Sequence, residues 1–87
     1  MSWQVYILRC SDDTLYTGIT DDLSRRIAAH NAGKGAKYTR GRGPVTLVYT
    51  EICHDKSCAL KREHAIKALP RSKKLALIDA FDQKENL

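Results

Sequence analysis

VYILRCSDDTLYTG, residues 5–18, decides the fold. Two strand-forming runs flank SDDT, a stretch whose aspartates can bond the local backbone and close a turn. The first strand, Trp3 to Cys10, puts Trp3, Val5 and Ile7 on one face and Gln4, Tyr6 and Leu8 on the other. Most of these side chains are apolar, so both faces are expected to be covered. Leu15 to Ile19 is the returning strand. A register that joins even positions to even ones sets Tyr6 and Tyr16 on a shared face, with Gly18 opposite Tyr6 and space above the phenol. A slip of one residue separates the rings. Two phenols so placed are either core aromatics or reactive groups held near each other.

Working outward, Thr20 or Asp21 caps a helix from about Asp22 to Ala32, stopped by Gly33. NAGKGAKYTRGRGP, residues 31–44, is read as a loop because it holds four glycines and a proline. TLVYTEI, residues 46–52, is a third strand. His54 or Asp55 opens a second helix through about Leu69, which Pro70 stops. Arg71 to Phe81 is a third helix anchored by Leu75, Leu77, Ile78 and Phe81, and the tail DQKENL is expected to fray. The order β-β-α-β-α-α predicts an α+β fold, a small three-stranded, mainly antiparallel sheet flanked by helices. One domain spans residues 1–87, with its core over about 3–81.

The chain's 87 residues bound what the site can be. A domain of this length buries about 60–65% of its unfolded surface, so any cleft lies over a thin core. No apolar run approaches the roughly 20 residues that span a bilayer, and MSWQVYILRC lacks the basic region and cleavage site of a secretory leader. Three cysteines, Cys10, Cys53 and Cys58, form no disulfide framework and indicate buried thiols in a reducing, cytoplasmic setting. Cys53, His54 and Cys58 do not have the spacing of a zinc site.

Net charge is +5, which favours an anionic partner, nucleic acid above all. Its distribution says more. KGAKYTRGR, residues 34–42, carries Lys34, Lys37, Arg40 and Arg42 without an acid. In such a loop the backbone amides and cations can track phosphates, while Tyr38 offers a stacking face for a base. The alternative is a solvated flexible loop.

The first helix supplies a second clue. With Leu23 at zero and about 100° per residue, Ile27 lies near +40°, His30 near −20° and Arg26 near −60°. Arg26 and His30 flank the stripe that faces the protein, and Arg25 points away. Taken alone, this helix favours an ion pair between Asp22 and Arg26, with His30 a half-buried packing residue. On the second helix the apolar stripe is Cys58, Ala59, Ala65, Ile66 and Leu69. Arg62 falls near its centre, and Glu63 lies about 100° aside, placed to pair with Lys67 at i, i+4.

Taken together, these residues resemble the GIY-YIG nuclease superfamily. Gln4-Val5-Tyr6 stands at the first triplet and Tyr16-Thr17-Gly18 at the second; DLSRR, residues 22–26, matches the helix whose last arginine is catalytic. His30 matches a histidine found in several members, and Glu63 of the Arg62-Glu63 pair matches the metal ligand. The chain is similar to small stand-alone bacterial members and to the nuclease domain of endonucleases that cut branched DNA. It departs from many relatives in lacking the first triplet's glycine and isoleucine and in having Ile19 where they carry lysine. Its late asparagine is Asn86, in the tail. The resemblance implies metal-assisted hydrolysis of a DNA phosphodiester with one divalent ion, Mg²⁺ or Mn²⁺, on Glu63. Tyr6 or Tyr16 takes a proton from water, helped by a cation that lowers the phenol's pKa. Arg26 offsets charge on the phosphate, and His30 orients the base or a phosphate. Gly18 is structural. A partner protein for substrate targeting is compatible with a chain that has no second domain. The alternative is a nucleic-acid-binding module of the same fold with little or no hydrolysis.

Overall fold

The structure is a computed structural model and describes residues 2–85. Strands β1 (Trp3–Arg9), β2 (Leu15–Thr20) and β3 (Thr46–Cys53) form one antiparallel sheet in the order β2-β1-β3. The even register is the one observed: Tyr6 pairs with Gly18 and Leu8 with Tyr16. Val5, Tyr6, Ile7 and Leu8 are each 0% exposed, as expected for a central strand covered on both faces. On the β3 side the register shifts between Ile7 and Leu8, which pair with Tyr49 and Leu47, so Val48 is the extra residue of a bulge.

Helix α1 (Leu23–Asn31) packs on the even face of β1 and β2. Its Leu23 and Ile27 lie against a core of Tyr6, Leu8, Cys10 and Val45. Helices α2 (Lys56–Lys67) and α3 (Arg71–Glu85) cover the odd face, where Val5, Ile7, Cys53, Ala59, Ile66 and Ile78 make the second core.

The N-cap of α1 is Asp22, not Thr20 or Asp21. Its carboxylate accepts from the Arg25 amide at 3.2 Å, while Thr20 turns back to accept from the Asp22 amide at 3.0 Å. The C-terminal end is a Schellman closure: Gly33 has φ +75°, its amide donates to His30 O, and the Lys34 amide donates to Ala29 O. Asp55 caps α2 by accepting from the Cys58 amide at 2.7 Å.

Several expectations need correction. Helix α3 does not end at Phe81. Residues 82–85 continue it, because DQKE has no breaker and helix formers need none of the core to extend. Asn86 and Leu87 lie outside the described residues. Leu75 and Ala65 are exposed rather than anchoring. Residues 31–44 are not wholly loop, since Lys37–Thr39 close a short 3₁₀ turn. Cys10 and Cys53 are buried free thiols, but Cys58 is only half-buried. Arg62, at the centre of the apolar stripe, is half-buried because its Nε donates to Glu51 Oε2 at 3.0 Å, and Tyr49 donates to the same oxygen at 2.7 Å. No helix among the described residues is long and apolar enough to cross a membrane.

Candidate active site

The sheet register places the first phenol. Tyr6 is central on β1, and the absence of a side chain at Gly18 leaves room for its ring. A Cβ built at Gly18 would lie 2.6 Å from the Tyr6 oxygen and 3.0 Å from the Tyr16 ring. Tyr6 and Tyr16 thus share a face with ring centroids 6.3 Å apart.

Helix α1 closes over this face. Arg26 Nε donates to the Tyr6 oxygen at 3.4 Å, and His30 Nε2 lies 3.0 Å from the same oxygen. One turn of helix therefore brings a guanidinium and an imidazole to a single phenol. The ion pair expected between Asp22 and Arg26 does not form: Asp22 is occupied at the N-cap, and Arg26 turns inward. His30 is not half-buried but 1% exposed, with Tyr16 packed against it at 5.2 Å between centroids. Its Nδ1 lies 2.8 Å from Thr39 Oγ1.

Burial and charge set the protonation states. Burial raises the Tyr6 pKa above that of a free phenol. The bond and charge of Arg26 pull it down, and the nearby Tyr16 and Glu63 push it up, so burial prevails over the cation expected to lower it. Arg26 is held more firmly charged by its bond to Tyr6. Burial, and then the charge of Arg26, depress the His30 pKa below the ordinary imidazole value. The resting site is therefore a neutral phenol, a neutral imidazole and a cation.

Glu63 approaches from α2, which packs against β1 and β2. Its side chain is only 19% exposed, with Lys67 Nζ at 3.6 Å. The expected i, i+4 pair exists, but the carboxylate is not a solvated surface group, and its charge is felt at Tyr6. No group of three or more His, Cys, Asp or Glu among the described residues could hold a metal. A single shielded carboxylate fits Mg²⁺ or Mn²⁺, which take few protein ligands and fill their other positions with water and phosphate oxygens.

The basic loop divides. Lys34, Lys37 and Arg40 are exposed. Arg42 is not: the β1–β2 turn brings Asp12 to it as an ion pair, and Ser11 donates to its carbonyl at 2.9 Å. Bonds from Thr14, aided by Arg42, hold the Asp12 carboxyl below its usual range. Tyr38 is 43% exposed but engaged, stacked on Tyr16 at 5.9 Å with the Arg42 guanidinium 4.6 Å from its ring centre. An acid-free stretch of sequence is thus not acid-free in space.

Sequence reasoning did not single out Thr39 or Gly35. Beside the face that carries the two phenols is a hollow of about 240 Å³, lined by Leu15, Tyr16, Thr17, Tyr38, Lys67 and Lys74. A larger concavity, about 800 Å³ between β3 and α3, includes none of the tyrosines.

A family model described as the GIY-YIG catalytic domain matches residues 2–76. The chain belongs to the GIY-YIG family. Members of this family are in general nucleases that use a divalent metal. The domain is 60% identical over 74 residues to a UPF0213 protein of Natronomonas pharaonis, covering 85% of this chain and 87% of that one. It is 58% identical over 81 residues to a UPF0213 protein of Clostridium perfringens, covering 93% and 87%. The solution structure of a UPF0213 protein from Bacillus halodurans superposes with a TM-score of 0.60 at 50% identity, covering 92% of this chain and 85% of that chain. That of an Enterococcus faecalis protein gives 0.64 at 39% identity, covering 95% and 88%. Within this GIY-YIG domain, the triplet tyrosines, the α1 arginine and the buried histidine occupy one connected cluster.

Proposed function

We propose that this protein is a metal-dependent endonuclease that hydrolyses phosphodiester bonds of DNA, with branched or single-stranded DNA as its substrate class. The observation that carries the proposal is the meeting of Arg26 Nε and His30 Nε2 at the one oxygen of Tyr6. A structural role asks only that the buried hydroxyl be satisfied; a cation and a base at one phenol oxygen also supply what proton transfer needs.

Tyr6 is the general base in this reading. Its own proton has an acceptor in His30, so the oxygen can take a proton from water as it releases one. At rest the oxygen is sealed, since Tyr6 is 0% exposed. Arg26 forms part of that seal. When its guanidinium turns to a phosphate oxygen, it offsets the charge growing there and opens the phenol to water. Tyr16 packs against His30 and holds the ring in place. Glu63 would hold the divalent ion, which when bound supplies electrostatic stabilisation at the leaving oxygen. Lys34, Lys37 and Arg40 hold the DNA backbone, and a partner protein directs the domain to its substrate.

The test is cleavage of flapped, forked, single-stranded and double-stranded DNA with Mg²⁺ or Mn²⁺. Arg26→Ala and Glu63→Ala are expected to remain folded and lose cleavage. Equal cleavage by the wild type and both variants would overturn the proposal. The second reading, a binding module without turnover, draws on the occupation of Glu63 by Lys67. It is supported if salt-sensitive DNA binding occurs with no cleavage in either metal.

A further inference from the structure

Thr39 lies on the short turn Lys37–Thr39, in the middle of the basic loop, yet is 1% exposed. Its hydroxyl has one proton, and it donates that proton to Ala36 O at 2.9 Å. The same oxygen lies 2.8 Å from His30 Nδ1. With its proton committed, the hydroxyl oxygen can only accept from the ring, so Nδ1 carries the imidazole proton. A neutral imidazole has one N–H, and Nε2 is then a bare acceptor 3.0 Å from the Tyr6 oxygen. The Tyr6 hydroxyl therefore donates to His30. The direction of the whole chain, from Tyr6 through His30 and Thr39 to the Ala36 carbonyl, follows from that carbonyl together with Arg26, whose donation to the Tyr6 oxygen leaves His30 Nε2 as the acceptor for the phenol proton.

The loop is fitted to this task. A Cβ at Gly35 would lie 2.4 Å from His30 Nδ1 and 2.9 Å from His30 Cα, so only glycine lets the loop backbone lie against the imidazole. The Gly33 closure of α1 delivers the chain to that point.

We propose that Thr39 is a positioning residue: it fixes the tautomer of His30 so that Nε2 faces Tyr6 as the proton acceptor, and it ties this arrangement to the loop that carries Lys37 and Arg40. The assignment rests on the nuclease reading for its catalytic part and on geometry alone for its tautomer. When the phenol releases its proton, the O–H bond of Tyr6 breaks and an N–H bond forms at His30 Nε2. The imidazolium so formed keeps its Nδ1–H bond to Thr39, and the Tyr6 oxygen accepts the proton of the attacking water. Thr39 carries no proton between residues; it orients the ring, as the third member of a nucleophile-and-base set does.

The experiment reads the ring nitrogens of ¹⁵N-labelled protein by long-range ¹H–¹⁵N correlation, with the exposed His54 and His64 as internal references. In the wild type at neutral pH, His30 is expected as the Nδ1–H tautomer. Thr39→Val keeps the side chain's shape and removes the acceptor, so the ring is expected to shift toward Nε2–H. On the DNA substrates kcat is expected to fall by about tenfold or more, with KM little changed. Thr39→Ser restores both readouts, which a role in packing alone does not predict. An Nε2–H tautomer in the wild type, or a Thr39→Val protein with the wild-type tautomer or the wild-type kcat, overturns the assignment. If Thr39→Val does not fold, the wild-type tautomer and Thr39→Ser still decide. If the wild type cleaves no DNA, the nuclease reading fails and the tautomer measurement judges Thr39 by itself.

Discussion

Gly18→Ala is the most direct probe of the geometry that joins the sheet to the chemistry. The added Cβ would lie 2.6 Å from the Tyr6 oxygen and 2.8 Å from Tyr6 Cζ. Ordinary contact begins near 3.4 Å, so the phenol must retreat by roughly 0.8 Å. It has nowhere easy to go: Tyr6 is 0% exposed, and His30 and Arg26 hold its oxygen. Overpacking of this kind costs about 1–3 kcal/mol. Straining the buried bond to His30 adds about 1 kcal/mol. Replacing glycine within a strand returns about 0.5–1 kcal/mol. The net expectation is a loss of about 2 kcal/mol, since the steric and hydrogen-bond costs exceed the backbone gain. Urea unfolding followed by far-UV circular dichroism measures it. With a slope near 1 kcal/mol/M for so small a chain, the midpoint falls by about 2 M. Gly43→Ala is the control, because a Cβ there meets nothing within 4 Å and is expected to be near neutral. If Gly18→Ala matched the control in stability, Tyr6 could not lie under Gly18, and the register placing the phenols together would be wrong.

Tyr6→Phe is expected to fold, to lose about 1–2 kcal/mol through the unpaired His30 Nε2, and to lose DNA cleavage by at least about 10²-fold. Retained cleavage would transfer the base to Tyr16. Acidification tests the buried imidazole, which faces Tyr6, Tyr16 and Arg26. Its folded pKa is depressed, so the unfolded chain binds the extra proton first. This contribution to stability is present above about pH 6.5 and is lost as pH falls below it. Urea midpoints at a series of pH values from neutral to mildly acidic are expected to decline for the wild type and to decline less for His30→Gln. Neutralising Lys34, Lys37 and Arg40 together is expected to reduce the salt slope of DNA binding by about 2–3. Arg42→Gln, whose guanidinium is already paired with Asp12, is expected to change that slope little.

What could be read from the chain follows the range over which its physics acts. Alternation along residues 3–10 and 15–19 left the register open, because both faces of the first strand are apolar and a slip turns neither set outward; the even register is the one the structure adopts. Helical angle alone put Arg26 and His30 beside the apolar stripe, and both do face Tyr6. The same angle drew attention to Arg62, which has a structural partner in Glu51, while Glu63 was marked only by resemblance. Periodicity reports which side of a helix faces the protein, not which cleft its rim reaches. Thr39 had no such signal, since residues 31–44 are aperiodic and its partner lies nine residues away on another element. The pairing of Arg42 with Asp12 spans 30 residues between two turns, beyond any local pattern.

The buried position of these polar groups has a consequence for all tests of function. Tyr6, His30 and Thr39 are among the most fully buried side chains of the molecule, so the core of the even face and the candidate chemistry are largely the same atoms. In a domain this small neither core has material to spare. Alanine at Tyr6, His30 or Thr39 removes volume as well as chemistry, and loss of cleavage would then report unfolding as readily as catalysis. Arg26 and Glu63 lie at the rim, partly exposed, and can be truncated with less disturbance. Isosteric changes, Tyr6→Phe and Thr39→Val, delete one hydrogen-bonding atom each. The rim variants test whether the domain is a nuclease, and the isosteric core variants test whether Tyr6 is the base proposed for it. A loss of cleavage in the core variants counts as chemistry only where the urea midpoint stays within the shift expected for one lost hydrogen bond.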